Sequence, residues 1–475
     1  MKKLFALLLL LALPARPSPE VSQPRPLVFT HVTVLDMTGA PAQTDRTVVV
    51  TGDRITEIGP SASVQVPKDA QVVDATGKFL IPGLWDMHVH WLHRDYLPLF
   101  VANGVTGIRV MWGTPDHHQW RRDVEQGTLR GPRMSIASAI VDGPQPIWPG
   151  STPVKDAAEA RQVVIQSKKE GADFIKVYSR LPRDAYFAIA DEARKQGIPF
   201  AGHVPASVTV AEASDAGQQS IEHFTNVLEA CSTREEEIRR MSAEAMLNLP
   251  EGQKFASRAA LRPIIRLTQE TFSPEKANAL AARFVKNHTW QCPTLVVQRN
   301  MASIHDPAIH KDPRVKYMPP EMTSWWNPAN DFRHQDRTEE DYALAQTGYR
   351  KLKELIGPMR KAGVEFLAGT DVLNPYCFPG FSLHDELGLL VEAGLSPMEA
   401  LQAATLNPAR YIGKEKDLGT IEKGKIADLV LLNGNPLDDI GNSRKIDAVV
   451  TSGKLLPKAE LEKMLAEIEA MAAKK

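Results

Sequence analysis

The chain has 475 residues, of which 43% are apolar and 24% are charged, as is typical of a folded globular protein. Its formal net charge of −1 excludes the strongly basic surface that binding to nucleic acid requires, so no nucleic-acid partner is expected. The three cysteines are too few for a disulfide framework, although a single pair can form in an oxidising compartment. A hydrophobic core must therefore hold the fold together.

The first residues form a pattern of their own. Met1-Lys2-Lys3 is basic, residues 4–13 are apolar, and prolines follow within residues 14–19. This order predicts a secretory signal peptide over residues 1–18 and a periplasmic or secreted protein. The apolar run is shorter than the roughly 20 residues that span a bilayer, so no stable membrane span is expected after signal removal.

Short β-strand patterns occur near both ends of the remaining chain. The first group lies within residues 27–81 and contains a predicted hairpin turn at residues 51–54. The second group lies within residues 426–450. We predict that residues 19–80 and 418–457 together form a small β-sandwich. Residues 458–475 predict a C-terminal amphipathic helix, whose apolar stripe contains Leu461, Leu465, Ile468 and Met471.

Between these regions, short apolar strands alternate with helical stretches. The predicted strands lie at residues 84–90, 106–111, 134–141, 173–178, 199–203, 220–223, 289–295 and 365–371. Helices are predicted between most of them, for example over residues 154–169 and over residues 183–196, which Gly197 ends. Eight such units over residues 81–417 predict an α/β fold, the (β/α)8 TIM barrel. Residues 299–330 form a long irregular insert, typical of a lid or binding loop.

Metal-ligating residue types stand at the carboxyl ends of the predicted strands, where a barrel places its functional groups. His88 and His90 end the first strand, and residues two apart on a strand point the same way, so both imidazoles can reach one metal. His203, His223 and Asp371 end the fifth, sixth and eighth strands. Any one such histidine is more often structural, but the set in one barrel indicates a metal centre.

Lys176 lies inside the fourth predicted strand, among the apolar residues of the segment FIKVY, 174–178. A lysine desolvated by such neighbours favours its neutral, nucleophilic amine. Taken alone, a lysine in a strand is more often a paired structural cation.

Three segments carry a family resemblance. Residues 79–90 read FLIPGLWDMHVH, residues 403–409 read AATLNPA, and residues 419–430 read GTIEKGKIADLV. In these segments the chain resembles the amidohydrolase superfamily, and within it the group of imidazolonepropionase-like proteins and metal-dependent prolidases. The segments resemble that family's first-strand signature, the helix before its return to the β-sandwich, and the return itself.

The resemblance implies a role for each strand-end residue. His88, His90 and Asp371 would bind the more buried of two divalent metal ions, and His203 and His223 would bind the second. Lys176 resembles the lysine that is carboxylated in many members, so that its carbamate bridges both ions. Zinc is the expected metal for such a histidine-rich site, with manganese, cobalt and iron as alternatives. Val204-Pro205 follows His203, where prolidase relatives often have Ala-His, so any role of that histidine is absent here.

These residues predict a metal-dependent hydrolase of a peptide-like C–N amide bond, in a dipeptide such as Xaa-Pro or in an N-acyl amino acid. Asp371 is the expected catalytic residue, moving a proton from the attacking hydroxide to the leaving amine. A cyclic-amide hydrolase, a deaminase and a lactonase or phosphotriesterase stay open, although a carboxylated lysine favours hydrolysis over deamination. A metal-free binding protein is the alternative of another class, and the complete ligand set argues against it.

The expected partner is a small-molecule or short-peptide substrate. Assembly into a homo-oligomer is an option.

Further residues are candidates for substrate contacts. Tyr178 can offer its hydroxyl to a substrate carbonyl or carboxylate, with a packing role as the alternative. Arg109 ends the second predicted strand and can pair with a substrate carboxylate. His384 resembles a family position, with surface or helix-cap duty as the alternative. Aromatic side chains that can line a pocket, or pack in the core instead, are Trp91, His93, Trp325 and Trp326.

Overall fold

The computed structural model describes residues 25–90, 93–247, 256–334 and 336–474, so the predicted signal peptide and Trp91 lie outside the described residues. The strands are β1 (Leu27–Val34), β2 (Gln43–Thr51), β3 (Arg54–Pro60), β4 (Gln71–Asp74), β5 (Phe79–Pro82), β6 (Leu84–Val89), β7 (Val105–Val110), β8 (Arg133–Ile136), β9 (Val141–Asp142), β10 (Thr152–Pro153), β11 (Ile175–Val177), β12 (Phe200–Gly202), β13 (Ser220–Glu222), β14 (Trp290–Cys292), β15 (Leu429–Leu432), β16 (Ile446–Thr451) and β17 (Lys454–Pro457).

The α-helices lie mainly between and after the strands of the central region. They are α1 (Pro98–Ala102), α2 (Pro115–Glu125), α3 (Ala157–Lys169), α4 (Arg183–Gln196), α5 (Val210–Asp215), α6 (Val227–Ala230), α7 (Glu235–Leu247), α8 (Arg258–Glu270), α9 (Pro274–Asn287), α10 (Leu295–Ala302), α11 (Pro320–Trp325), α12 (Glu339–Lys361), α13 (Phe381–Glu392), α14 (Pro397–Ala403), α15 (Leu406–Tyr411) and α16 (Lys458–Ala472). Short 3-10 helices are found at Arg94–Tyr96, Ile309–Lys311, Pro313–Tyr317 and Ile440–Arg444.

Strands from both ends of the chain form one eight-stranded sheet. Its order is β17-β16-β15-β5-β1-β2-β3, and β4 pairs with β1. The junction is β5, which runs parallel to β1 and antiparallel to β15, so the two ends of the chain share one hydrogen-bonded sheet. The predicted hairpin is confirmed, because Thr51 of β2 pairs with Arg54 of β3. Alternate side chains such as Phe29, Val48 and Leu431 are buried in this region's own core.

The central region is a barrel-like arrangement of parallel strands. One sheet has the order β6-β7-β8 and the other the order β10-β9-β11-β12-β13-β14. A parallel bridge between Ala137 and Phe174 joins the two sheets on one side. On the other side the segment 364–372 lies between β14 and β6, where the Leu367 N–H donates to Gln291 O and the Met87 N–H donates to Ala368 O. Parallel strands bring their carboxyl ends to one edge, where the candidate ligands lie.

Two predicted barrel strands differ from the structure. The third is interrupted, because the chain changes partners at Ser138, whose N–H donates to Phe174 O, before it resumes as β9. The eighth, predicted over residues 365–371, is an extended segment with isolated bridges at Phe366 and Val372. Asp371 has a φ of +57°, in the left-handed region, which removes this residue from the β conformation.

The predicted helices before and after β11 are present. The helix α3 begins after Asp156, whose side chain accepts hydrogen bonds from the N–H groups of Ala158 and Glu159. The helix α4 has the predicted bounds and ends at Gly197, which has a φ of +63°. The insert over residues 299–330, predicted to be irregular, is partly helical. It contains the end of α10, two 3-10 helices and α11.

The C-terminal helix α16 buries Leu461, Met464 and Ile468 and packs against α1, β16 and β17. Two residues of the predicted stripe, Leu465 and Met471, flank this buried row and are partly buried. Within the described ranges, no helix has both the length and the hydropathy of a membrane span. Cys231, Cys292 and Cys377 are buried and unpaired, so no disulfide contributes to this fold.

His384 lies in α13, and the structure buries it between two parts of the chain. Its Nε2 donates to Asn103 O at 2.9 Å, and its Nδ1 lies 2.9 Å from Ser443 Oγ. His384 therefore holds α13 against the end of α1 and the 3-10 helix at Ile440–Arg444 and does not lie on the surface. Burial lowers the pKa of His384 to about 4, so the folded protein keeps this ring neutral.

This burial predicts acid sensitivity of the fold. Below a pH of about 6.5 the unfolded chain protonates His384 and the folded chain does not, so this contribution to stability declines as the pH falls towards 4. We expect the His384→Gln variant to lose about 3 kcal/mol less stability than the wild type between about pH 7 and about pH 4. Urea denaturation at both pH values measures the difference. Equal losses in the two proteins would contradict the assignment.

Candidate metal centre

A pocket of about 470 Å³ opens at the carboxyl ends of the parallel strands. Its floor contains four of the predicted ligands, which are His90, His203, His223 and Asp371. Its walls are mainly aromatic and apolar, and they include Trp112, Trp148, Tyr178, Met301, Met322 and Trp325. A concave apolar site with a few convergent polar groups is the arrangement in which proteins bind small molecules.

His90 and Asp371 of this floor converge with the buried His88. His88 Nε2 lies 3.1 Å from His90 Nε2 and 3.4 Å from Asp371 Oδ1, and His90 Nε2 lies 3.2 Å from the same oxygen. Three ligand atoms at such separations can bind one cation. The Nδ1 of His88 donates to Glu222 at 2.8 Å, which directs the lone pair of Nε2 to the centre of the group.

His203 and His223 form the other side of the group. Their ring centroids are 5.0 Å apart, and the ring of His223 lies 4.5 Å from that of His88. The Nδ1 of His203 is 2.9 Å from Ser179 Oγ. The Nδ1 of His223 is 2.6 Å from Thr294 Oγ1, whose own proton is donated to Pro293 O. His223 therefore donates through Nδ1, and its Nε2 lone pair is available to a metal.

The electrostatics of the site favour neutral imidazoles and an ionised carboxylate. Burial lowers the pKa values of His88, His203 and His223, so all three rings are neutral and able to act as ligands. Burial acts to raise the pKa of Asp371, but His223 and His90 together hold it below its usual value. Asp371 and His223 both have left-handed backbones, with φ of +57° and +60°. Such strain is concentrated at functional sites.

Lys176 lies on β11, close enough to Asp371 and His203 to interact with them electrostatically, and its side chain is fully buried. Among the described residues its Nζ has no hydrogen-bond partner. Burial lowers its pKa to about 8, so a substantial part of the amine is neutral near physiological pH. An amine that is buried and unpaired is costly, and chemical conversion to a metal-ligating group would remove this cost.

Arg109 lies elsewhere than predicted. It is fully buried below the ligands, where Nε donates to Met87 O, Nη1 donates to Ser220 and Tyr411, and Nη2 donates to both oxygens of Glu222. These bonds engage the five N–H groups that a guanidinium carries. The prediction that Arg109 pairs with a substrate carboxylate is therefore wrong. Arg109 instead positions Glu222, which positions His88.

Removal of this arginine has a predictable cost. In the Arg109→Met variant Glu222 remains buried without its cation, so the free energy of unfolding should fall by about 3–5 kcal/mol. Arg130→Met is the matched control, because Arg130 forms a surface ion pair with Glu460 and should contribute about 1 kcal/mol or less. Chemical denaturation of both variants makes the comparison. Similar losses in the two variants would contradict the buried pairing of Arg109 with Glu222.

Tyr178 lines the pocket as predicted. Its ring stacks on His203 with centroids 4.0 Å apart, and its hydroxyl accepts a hydrogen bond from Trp148 Nε1 at 2.8 Å. Burial raises the pKa of Tyr178, so the phenol keeps a proton to donate. Its role as a substrate contact stays a prediction. His93 and Trp325 also line the pocket, whereas Trp326 is fully buried against Tyr376 and Phe378.

Sequence reasoning missed the residues that orient the ligands. Glu222 immediately precedes His223, and a carboxylate inside the strand Ser220–Glu222 was a usable signal, because buried acids are rare unless paired. Ser179 and Thr294 are ordinary hydroxyl residues in sequence, and nothing in the pattern distinguishes them. Arg333, which follows the insert of residues 299–330, also lines the pocket.

Comparison with known proteins shows the family of this chain. Residues 79–456 match the sequence profile of the Amidohydrolase family. The chain is therefore a hydrolase that acts on carbon–nitrogen bonds, the class that the barrel-like region and its histidine-rich edge define. It belongs to the Amidohydrolase family, whose members are typically metal-dependent.

Similar proteins include enzymes with different substrates. The imidazolonepropionase of Pseudomonas fluorescens is 23% identical over 401 residues, which cover 81% of this chain and 87% of the relative. A bottromycin amidohydrolase has a TM-score of 0.75 at 23% identity, covering 95% of this chain and 91% of its own. A Xaa-Pro dipeptidase with bound methionine has a TM-score of 0.65 at 19% identity, covering 91% of this chain and 100% of its own. At these identities the solved structures show a shared fold.

Proposed function

We propose that the protein is a metal-dependent amidohydrolase that cleaves a peptide-like amide bond, in a dipeptide such as Xaa-Pro or in an N-acyl amino acid. The observation that carries the proposal is the convergence of five residues at one edge of the parallel strands, with the buried Lys176 close enough to interact with them electrostatically. The five are His88, His90, His203, His223 and Asp371. The proposal includes a complete (β/α)8 barrel, with the eight-stranded terminal sheet as its composite β-sandwich.

The donor set fits two divalent cations, with zinc as the expected metal. His88, His90 and Asp371 would hold one, and His203 and His223 would hold the other. The lone pairs of His88 and His223 face inward because their Nδ1 atoms are engaged by Glu222 and Thr294. The unpartnered amine of Lys176 fits the precursor of a bridging carbamate. Bound ions would supply Lewis-acid activation of water and of the substrate carbonyl.

The chain's own residues provide the proton transfer. Asp371 faces the pocket as an ionised carboxylate, so it can accept a proton from the attacking water. The same oxygen then returns this proton to the departing amine nitrogen, while the C–N bond breaks and a carboxylic acid forms. Tyr178 stands beside His203 with a phenolic proton and would orient the substrate carbonyl. Apolar and aromatic side chains form most of the remaining wall of the pocket.

A second candidate is the hydrolysis of a cyclic amide. The similarity to an imidazolonepropionase over 81% of this chain favours it. The same ligands and the same proton transfer through Asp371 serve both reactions, and they differ in whether the released amine stays attached to the product.

Amine release from a panel of dipeptides and N-acyl amino acids tests the proposal. The enzyme is supplied with zinc and bicarbonate, its metal content is measured, and the same protein stripped with a chelator is the control. Turnover by the metal-loaded form alone is expected, with about two metal ions per chain. A metal-loaded enzyme that releases no amine, but opens cyclic amides, would replace the first candidate with the second. Inactivity towards both classes would refute the proposal.

We further propose export to the periplasm or the medium, because residues 1–18 have the order of a signal peptide. Cell fractionation with N-terminal sequencing provides the measurement. A shortened N-terminus in the exported fraction is expected, and an intact Met1 on protein confined to the cytosol would contradict the proposal.

A further inference from the structure

Arg333 is a charged side chain of the pocket wall that the proposed chemistry does not use. It follows the insert, and its side chain is 17% exposed. Its guanidinium carbon lies 5.0 Å from the ring centroid of Trp325 and 5.7 Å from that of Trp148. The aromatic rings and the backbone turn at Asp331 hold the guanidinium in place before any ligand arrives.

The hydrogen bonds of Arg333 leave part of its donor capacity for a ligand. Nε and Nη2 donate to the buried carboxylate of Asp331, and Nη1 donates to Asn374 Oδ1 at 2.6 Å. Among the described residues these partners engage three of its five N–H groups. One N–H remains on each terminal nitrogen, which is the pair of donors that a carboxylate binds in bidentate fashion.

An arginine inside the insert, Arg314, provides an internal comparison. Arg314 binds Asp312 through Nε and Nη2, two positions apart in sequence, as Arg333 binds Asp331. The Nη1 of Arg314, however, donates to a second carboxylate, Asp385, at 2.7 Å. Arg314 thus has two acidic partners and does not line the pocket, whereas Arg333 has one acidic and one neutral partner and does.

The surroundings of Arg333 are also cationic. The charged groups that act on the buried ring of His334, beside Arg333, include Arg258, Arg333 and Arg337 against the carboxylate of Asp331. On the pocket side the carboxylates of the lining are Asp371, which is assigned to the metal centre, and Glu321, which is exposed in the first turn of α11. The wall behind Arg333 therefore favours an anionic group.

Asn374 connects Arg333 to the reacting centre. Its Oδ1 accepts from Arg333, and its Nδ2 donates to the main-chain oxygen of Asp371 at 3.0 Å. A carboxylate bound by Arg333 therefore lies in the same pocket as the proton-transfer group, Asp371. The side chain of Asn374 links Arg333 to the main chain of Asp371. The aromatic rings of Trp148 and Trp325 lie beside this position.

We infer that Arg333 determines specificity by binding a free carboxylate on the amine side of the scissile amide, and that the adjacent tryptophans receive a large apolar side chain. This inference rests on the proposed amide hydrolysis. It narrows the substrate class to N-acyl or peptidyl amino acids with a free α-carboxylate and an aromatic or other large apolar side chain.

Kinetics with matched substrates test the inference. N-acetyl-L-tryptophan and N-acetyl-L-tryptophanamide differ only in the free carboxylate. For the wild type we expect the acid to be preferred by about 10- to 100-fold in kcat/KM, as a charge-assisted bidentate contact provides. Arg333→Lys keeps the positive charge beside Asp331 but loses the bidentate guanidinium. KM for the acid should therefore rise by about tenfold, and the preference for the acid over the amide in kcat/KM should fall by about the same factor.

Arg314→Lys is the matched control, because it changes the same Asp-x-Arg pairing outside the pocket and should keep the acid preference. Thermal denaturation verifies that both variants are folded. Equal use of acid and amide by the wild type would overturn the inference, as would an unchanged acid preference in Arg333→Lys.

Calorimetric binding of the same two compounds separates this inference from the proposed function. If neither compound is hydrolysed, the amide-hydrolase proposal fails for this substrate class. Tighter binding of the acid by the wild type, lost in Arg333→Lys, would still establish the carboxylate site. Equal dissociation constants would overturn it.

Discussion

Replacement of Lys176 by methionine is expected to separate activity from stability. The variant loses the amine from which a carbamate ligand would form, so kcat/KM and affinity for the second metal should each fall by about 10- to 100-fold. The metal-free variant should nevertheless be more stable than the metal-free wild type by about 1–3 kcal/mol. The reason is that methionine fills the same apolar site without a buried, unpartnered amine. Metal analysis, kinetics and urea denaturation measure the three quantities.

Two further variants make the result specific. Lys168→Met changes an exposed lysine of α3 and should leave metal content and turnover unchanged. Lys176→Glu places a carboxylate near the position of the carbamate, and it should recover part of the metal binding without dependence on bicarbonate. Full activity with two bound ions in Lys176→Met would eliminate the bridging role.

The Asp371→Asn variant should lose about 10²- to 10⁴-fold in kcat, the typical contribution of a positioned general base and acid. Asparagine keeps the size of the side chain but cannot accept and return the proton. KM should change little, because the proton transfer occurs only in the transition state. Steady-state kinetics on the best amide of the panel, with metal content measured in parallel, provide both values.

Asp184→Asn is the control for this variant, since Asp184 is an exposed residue of the first turn of α4. Its kinetics should match the wild type. A loss in Asp371→Asn that lies wholly in KM, or is fully explained by missing metal, would assign Asp371 to ligation alone.

The strand-end residues could be predicted from sequence because their placement depends on chain order. Once eight strands alternate with helices, each residue that follows a strand lies at the same edge, whatever the details of packing. His203 and His223 meet for this reason, with ring centroids 5.0 Å apart. The bounds of α4 could be predicted for a different reason, because its end at Gly197 is a local signal in the sequence.

How far a side chain lies below the edge that carries the ligands could not be predicted in this way. Arg109 lies near the end of β7, but its side chain points into the layer below the ligands, where Glu222 of β13 neutralises it. The pairing joins residues that are far apart in sequence, and neither strand's own pattern contains it. Arg333 could not be predicted for a related reason. The residues that follow the insert have no periodicity, and the position of the Arg333 side chain depends on its contacts with Trp148 and Asn374.

The segment 364–372 has a consequence for the order in which the protein assembles. It supplies Asp371 and closes the ring against β6 through hydrogen bonds such as that from the Asp371 N–H to His88 O. A nascent chain that ends after β14 contains His88, His90, Lys176, His203 and His223. It lacks the segment 364–372, which connects β14 to β6. Such contacts between distant residues form late in folding. Shared ligation by His88 and Asp371 would link β6 to the segment 364–372. Removal of the metal should therefore increase amide hydrogen exchange most at the hydrogen bonds between these two segments.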